Sequence, residues 1–303
     1  MRVLPQSAAA RLRAVFSLSD STVAGGDAVL KYILMCVLLL LAQPAFGADC
    51  TATTSLLPSP YVRSPETLAA GLAAAALVEP LDAAGLPSPT GKRGFLLIGM
   101  SNANQVGGGV RNWYHQDTLR DPKTVYVNGA QNGKAALEWV NPADTAWTTA
   151  ATLVTQGGMT PLQIQWAHVV MAIKYPATNG PMTEAHVRTI IDHLLLTYPN
   201  IRGIWLSGLS YMGYSTSTLS REPDVHGDSS LMASLVGTLP VWSDFLDWWS
   251  PGAAPNPVTG LAWACGDAQK DGVHPAITGR SRLGLLIMDR WRVDPVMSWW
   301  WVP

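Results

Sequence analysis

The stretch Gly94-Phe-Leu-Leu-Ile-Gly-Met-Ser-Asn102 is an apolar run that ends in a serine followed by an asparagine. A nearly unbroken apolar run is typical of a parallel β-strand that is covered on both faces. The sequence therefore predicts a buried strand over 94–100, with Ser101 at its exit. Three glycines follow at 107–109, and glycine permits backbone shapes that other residues resist.

Apolar segments alternate with amphipathic segments along the rest of the chain. Further strands are predicted at 124–128, 162–170 and 201–210. The clearest helix is predicted at 183–198, where apolar residues recur at the i, i+3, i+4, i+7 spacing of one buried face. Two more helices are predicted at 229–239 and 276–291. This alternation indicates an α/β protein with a parallel sheet that has helices on both faces.

The composition argues against several classes of partner. The 303 residues carry 20 basic and 21 acidic side chains, a formal charge of −1. Because basic and acidic side chains are nearly equal in number, the protein has no electrostatic preference for nucleic acid or for an anionic membrane. The glycine, lysine and serine or threonine spacing of a phosphate-binding loop does not occur. The six histidines lack the short spacings of a zinc site, and we expect neither a metal nor an organic cofactor.

The N-terminal region has the pattern of a secretory signal. Lys31 precedes an apolar run, and small residues, Ala45 and Gly47, stand at the −3 and −1 positions of a cleavage site after residue 47. The run is shorter than the roughly 20 residues that span a bilayer, which favours cleavage over a membrane anchor. We therefore predict a signal peptide with an extended N-region at 1–47, an N-terminal arm at 48–92 and a hydrolase domain at 93–303. The expected location is secreted or periplasmic.

Cleavage at that point would leave two cysteines, Cys50 and Cys265. Two thiols in an oxidising compartment often pair, so a disulfide between them is predicted. Two unpaired cysteines are the alternative.

A second polar motif lies near the C-terminus, where an apolar, strand-like segment at 261–265 leads to Asp271-Gly-Val-His-Pro275. Proline suits the first turn of a helix, so this motif is placed at the start of the helix at 276–291. A carboxylate beside an imidazole fixes the tautomer of the ring and stabilises its charged form. Asp271 is the expected partner of His274, and Asp267 is the alternative.

A serine after the first strand, combined with Asp-x-x-His near the C-terminus, resembles the SGNH (GDSL-type) hydrolase superfamily. Within it, the segment from Gly99 to Gln105 is similar to the sialate O-acetylesterase-like branch of secreted bacterial esterases. The resemblance spans roughly residues 94–292. It implies a three-layer α/β/α flavodoxin-like fold with a central parallel sheet.

The resemblance also implies a reaction, in which Ser101, His274 and Asp271 form a catalytic triad for ester hydrolysis. The N–H groups of Ser101 and Gly133 would hold the oxyanion, with Gly129 as the alternative to Gly133. The expected substrates are short-chain acyl esters, acetyl esters of carbohydrates among them.

Four residues are expected to contact such a small-molecule or glycan ester: Asn102, Gln105, Tyr211 and Tyr214. The last two lie in a segment, 207–215, that resembles part of uncharacterised secreted members of the superfamily. Tyrosines that only pack in the core are the alternative for that pair.

The sequence departs from the family after the third strand. The family supplies an asparagine there as a further oxyanion donor, whereas residues 165–172 contain none. His168 or Gln165 is the candidate replacement, although a histidine among apolar residues is more often part of the core. The departure keeps two rival functions open, a secreted carbohydrate-binding protein on the same scaffold and an O-acyltransferase.

Overall fold

The computed structural model describes residues 61–209, 217, 224–247 and 264–301. The predicted signal peptide, Cys50, Tyr211 and Tyr214 lie outside these residues, and with Cys50 the predicted disulfide does too. Within them, no helix combines the length and apolar character needed to cross a membrane.

Five strands form one sheet, in which every neighbouring pair is parallel and the order is 2-1-3-4-5. They are β1 (Arg93–Gly99), β2 (Thr124–Asn128), β3 (Ile164–Val170), β4 (Gly203–Ser207) and β5 (Trp242–Phe245). This is the strand order of flavodoxin-like sheets. The predicted α/β class with a central parallel sheet is confirmed.

Helices connect and flank the strands. They are α1 (Pro65–Ala75), α2 (Ser101–Gln116), α3 (Ala136–Val140), α4 (Thr145–Gln156), α5 (Pro176–Asn179), α6 (Glu184–Thr197), α7 (Asp224–Ser234) and α8 (Ile277–Val293). Short 3₁₀ helices lie at Pro161–Gln163, Cys265–Asp267 and Pro295–Trp300.

The core has two halves, one on each face of the sheet. Successive side chains of a strand point to opposite faces, so Phe95 and Leu97 join one apolar cluster while Leu96 and Ile98 join the other. The first cluster contains side chains of α2, α8 and the C-terminal 3₁₀ helix, and the second contains side chains of α4, α6 and α7. The result is the predicted three-layer α/β/α arrangement.

Several predicted boundaries were wrong. The helix predicted at 229–239 is α7, which begins at Asp224 and ends at Ser234. Of the strand-like segment at 261–265, residues 261–263 lie outside the described ranges and Cys265 begins a 3₁₀ helix. Pro275 precedes α8 and pairs with Ala268 in an isolated bridge, and α8 begins one residue later than predicted, at Ile277, which is 74% exposed.

The short strand β5 was not predicted because its sequence, Trp-Ser-Asp-Phe, has two polar residues in its middle. Both are buried, and the carboxylate of Asp244 bonds to Tyr61 and Arg63. Ionic and hydrogen-bond partners from the N-terminal arm therefore permit a polar residue in the sheet.

The glycines at 107–109 lie inside α2 and not in an irregular segment. A Cβ added to Gly109 would lie closer than 3.0 Å to the carbonyl oxygen of Arg280 on α8, and its separation from the Cα of Gly284 would be 3.5 Å. Small residues on both helices therefore let the two backbones approach closely. This contact matters for the site, because α2 begins at Ser101 and α8 follows His274.

Candidate active site

An open pocket of about 490 Å³ lies where the chain leaves the first three strands, and its lining includes Ser101, Gln105, Gly133, Lys174, Tyr175 and His274. In the sheet, β1 and β3 are neighbours, and the chain leaves β1 toward β2 on one side and leaves β3 toward β4 on the other. Open α/β sheets bind their ligands at such a switch point, beyond the carboxyl ends of the strands.

Ser101 is the first residue of α2, and the turn that leads to it is tight. A Cβ on Gly99 would lie 2.5 Å from the carbonyl oxygen of Val170, so only glycine fits there without a shift of the backbone. The preceding residue, Met100, gives α2 no side-chain cap. The first N–H groups of a helix lack partners within it and carry the positive end of its dipole. The Ser101 hydroxyl therefore lies where negative charge is stabilised.

His274 lies on a loop that is closed by hydrogen bonds between its own backbone groups. The N–H of Gln269 donates to the carbonyl of His274 over 2.8 Å, and the N–H of Ala276 donates to the carbonyl of Asp267 over 2.7 Å. Gly272 has φ +66°, a conformation that glycine adopts without strain. These features turn the chain so that the imidazole faces the first turn of α2.

Three side chains then form one hydrogen-bonded line. The Oγ of Ser101 lies 2.6 Å from Nε2 of His274, and Nδ1 of the same ring lies 2.6 Å from Oδ2 of Asp271. The other carboxylate oxygen, Oδ1, accepts the N–H groups of Val273 and His274 over 3.0 Å each. The structure thus brings together the three residues predicted as a triad, although they are far apart in the chain.

Asp271 is ionised at neutral pH. Partial burial opposes its ionisation, but the bonds from the His274 ring and from the two backbone N–H groups outweigh that effect and lower the pKa of Asp271 to about 2. Facing a carboxylate, Nδ1 of His274 carries the proton, which leaves Nε2 to accept the Ser101 hydroxyl.

Asp267, the alternative partner, does not contact the imidazole. Its buried carboxylate accepts the N–H of Ala264 over 2.8 Å and forms an ion pair with Arg282. Asp271 is therefore the residue that orients His274.

Two of the four predicted substrate contacts can be located. Gln105 lines the pocket, and its Oε1 accepts a hydrogen bond from Gln269 over 2.9 Å. Asn102 is only 1% exposed, and its amide donates to the carbonyl of Val273 over 2.8 Å. A substrate contact for Asn102 does not fit this placement, because the side chain is covered by the loop that it anchors. Asn102 instead ties the first turn of α2 to the loop that carries His274.

Neither candidate for the missing third donor lies in the pocket. His168 is buried, its Nε2 lies 2.8 Å from the Oγ of Ser207, and burial lowers its pKa to about 3, so the ring is neutral. Both ends of the Gln165 amide bond to the backbone of Glu79, over 3.1 and 2.7 Å. The interpretation of His168 as a core residue is therefore correct.

The two glycines proposed as oxyanion donors differ in their surroundings. The N–H of Gly129 already donates to the carbonyl of Leu97 over 2.8 Å, which removes it as a donor to substrate. Gly133 lines the pocket in a turn with φ +77°, and within the described part of the chain its N–H has no acceptor. Of the two, Gly133 is the one that can face a substrate.

Among the pocket residues that sequence reasoning missed are Lys174 and Tyr175, which follow β3. Tyr175 has φ +53° and is the one non-glycine residue with positive φ in the described ranges. The only sequence signal is the Lys-Tyr-Pro segment that ends the apolar stretch Met171-Ala-Ile173 after β3. The described lining contains a lysine but no aspartate or glutamate.

Comparison with known proteins gives limited guidance. No family model matches the chain, and no curated protein matches it. Among solved structures, it is similar to a Clostridium thermocellum family 3 carbohydrate esterase, with 9% identity over 65% of this chain and 94% of the other and a TM-score of 0.44. It is also similar to the periplasmic domain of a Salmonella ser. Paratyphi A lipopolysaccharide acetyltransferase, with 12% identity over 66% and 84% and a TM-score of 0.38. Likeness at this level assigns no activity to this chain.

Proposed function

We propose that this protein is a serine esterase that cleaves short-chain acyl esters through Ser101, His274 and Asp271. The observation that carries the proposal is the continuous hydrogen-bonded line from the serine hydroxyl through the imidazole to the carboxylate, with 2.6 Å at each step. A nucleophile, a base and a group that orients the base are the three parts that acyl transfer needs.

In the first half of the reaction, the Oγ of Ser101 attacks the ester carbonyl carbon while its proton passes to Nε2 of His274. The carbonyl electron pair moves onto oxygen, where the N–H groups of Ser101 and Gly133 stabilise the charge. When the intermediate collapses, the bond from carbon to the leaving oxygen breaks. The imidazolium then gives its proton to the departing alcohol, and an acyl-serine remains.

In the second half, water attacks the acyl-serine and His274 takes one of its protons. Collapse of this intermediate releases the carboxylic acid and returns a proton to Ser101. Asp271 stays ionised throughout and stabilises the charged ring. The groups named are sufficient for this sequence, and no step draws on a cofactor.

Covalent labelling tests the assignment directly. Wild-type protein is treated with a fluorophosphonate and digested, and the modified residue is located by mass spectrometry. We expect modification at Ser101, loss of labelling in Ser101→Ala, and unchanged labelling in Ser234→Ala, which removes an exposed serine on α7. Labelling elsewhere, or equal ester hydrolysis by Ser101→Ala and wild type, would refute the proposal.

The substrate class is proposed from the pocket and from the sequence resemblance. Gln105 and Gln269 line the pocket, and Gln269 donates to the Gln105 Oε1 and to the carbonyl oxygen of Pro275. The NH2 group of Gln105 and the Oε1 of Gln269 remain to bond to the hydroxyls of a carbohydrate alcohol. We expect faster release of p-nitrophenol from the acetate than from long-chain esters, and the reverse preference would count against a short acyl group.

Two other experimental outcomes would indicate a different function. Acylated sugar formed in the presence of an acceptor would identify an O-acyltransferase that uses the same serine. Glycan binding without hydrolysis of any acyl ester would indicate a binding protein. The proposed setting is secreted or periplasmic and rests on the pattern at residues 31–47.

A further inference from the structure

Lys174 is the one cationic lysine or arginine side chain in the described lining of the pocket. It lies in the segment after β3, and its Nζ donates to the carbonyl oxygen of Gly133 over 3.0 Å. The same ammonium forms an ion pair with Glu138, which is not among the lining residues. Gly133 in the pocket wall and Glu138 outside it thus hold a positive charge in the pocket that contains the proposed nucleophile.

One of the three N–H donors of the Lys174 ammonium remains available for a substrate. An ammonium group has three N–H donors, and the two contacts to Gly133 and Glu138 use two of them. The third has no acceptor in the part of the chain that the structure describes. Because Lys174 shares the pocket with Ser101 and His274, a substrate carbonyl bound there can supply that acceptor.

We infer that Lys174 is the third oxyanion donor of the proposed esterase. As the bond from Ser101 to the carbonyl carbon forms and the carbonyl electron pair moves to oxygen, the free N–H of Lys174 donates to that oxygen. The proton stays on Lys174, so the step needs no further acid or base. The inference rests on the proposed function, and it gives the pocket a donor that the core residues His168 and Gln165 do not provide.

A purely structural salt bridge is the competing explanation, and a second lysine allows the two to be separated. Lys134 pairs with Asp144 over 2.7 Å and donates to the hydroxyl of Thr145 over 2.9 Å. The two lysine side chains are similarly covered, at 27% exposed for Lys174 and 24% for Lys134. Neither the Lys134 side chain nor its partners Asp144 and Thr145 line the pocket, so Lys134→Met removes a comparable salt bridge outside the lining.

The test compares steady-state kinetics on p-nitrophenyl acetate for wild type, Lys174→Met, Lys174→Arg, Lys134→Met and Glu138→Gln. Loss of one oxyanion donor lowers kcat by about 10²–10³-fold, and we expect that loss in Lys174→Met with little change in KM. Lys174→Arg should recover part of kcat because it keeps a charged donor. Lys134→Met should match wild type.

Glu138→Gln decides between the two explanations, since it removes the ion pair but keeps the ammonium. We expect it to retain most of kcat. Equal losses in Glu138→Gln and Lys174→Met, or equal kcat in Lys174→Met and Lys134→Met, would overturn the role of Lys174. Thermal unfolding of each variant shows whether a loss of kcat reflects unfolding.

The experiments also distinguish failure of the proposed esterase function from failure of the role of Lys174 alone. If wild type hydrolyses no ester and Ser101 takes up no fluorophosphonate, the esterase and the role of Lys174 both fall. If hydrolysis depends on Ser101 but not on Lys174, only the inference about Lys174 falls.

Discussion

Substitution of Gly109 by alanine tests whether the close contact between α2 and α8 sets the geometry of the site. The new Cβ would lie closer than 3.0 Å to the carbonyl oxygen of Arg280, which is backbone and has no rotamer to change. The two helices must therefore move apart. In the same helix, a Cβ on Gly108 would meet nothing within 4 Å, so Gly108→Ala is a matched control for helix propensity.

The two variants should differ in the sign of their effect on stability. Replacing glycine by alanine within a helix stabilises by about 0.5–1 kcal/mol, which for a domain of this size raises Tm by about 1–4 °C in Gly108→Ala. Overpacking costs about 1–3 kcal/mol. After the propensity gain, we expect Gly109→Ala to lose about 1–2 kcal/mol and to melt about 2–8 °C below wild type.

The two variants should also differ in kcat for ester hydrolysis. Ser101 begins α2, and the loop carrying His274 leads into α8, so separation of the helices lengthens the 2.6 Å contact between Oγ and Nε2. A displacement of about 1 Å at reacting groups can cost about 10²-fold, and we expect kcat to fall by about 10–10²-fold in Gly109→Ala. Ester hydrolysis and thermal unfolding of both variants are the assays. Equal stability and equal kcat for the two variants would refute the reasoning.

Two further predictions concern buried or hydrogen-bonded carboxyl groups. Asp271→Asn should keep the loop but favour the wrong tautomer of His274, and kcat on p-nitrophenyl acetate should fall by about 10³–10⁴-fold; unchanged kcat would exclude Asp271 from the triad. Burial raises the pKa of Asp228 from 3.8 to about 7, although its carboxylate accepts the N–H of Ile173. Ionisation of Asp228 therefore opposes folding, and wild-type stability should fall relative to Asp228→Asn as pH rises from about 4 to above 7. Parallel Tm curves for the two proteins would contradict this.

The strands that carry the site were predictable because they are mostly buried and rich in apolar residues, most clearly in β1. The sheet class followed from the alternation of those runs with amphipathic segments such as α6, whose buried face obeys the helical repeat. The short strand β5 did not follow, because Asp244 is accommodated by Arg63 and Tyr61, far away in the chain. The sequence around β5 does not indicate that these partners are present.

The residues of the site also fall into those that the sequence predicted and those that it did not. Ser101, Asp271 and His274 were predictable since their residue types and order resemble a known pattern. Lys174 and Tyr175 were not, because no motif marks them and only the crossing of the chain after β3 brings them to the pocket. Asn102 was assigned to the substrate from its neighbours in sequence, whereas the loop at 268–275 covers it.

The sequence by itself determined the α/β class and predicted three candidate catalytic side chains with their order along the chain. The tertiary structure alone decided that these side chains meet, since the 2.6 Å contacts depend on α2 and α8 packing through glycines at 109 and 284. The tertiary structure also buries Asn102 and brings Gly133 and Lys174 into the lining of the pocket. The physical reason is that residue type sets what a group can do, while the distance and burial that let it act depend on neighbours distant in the chain.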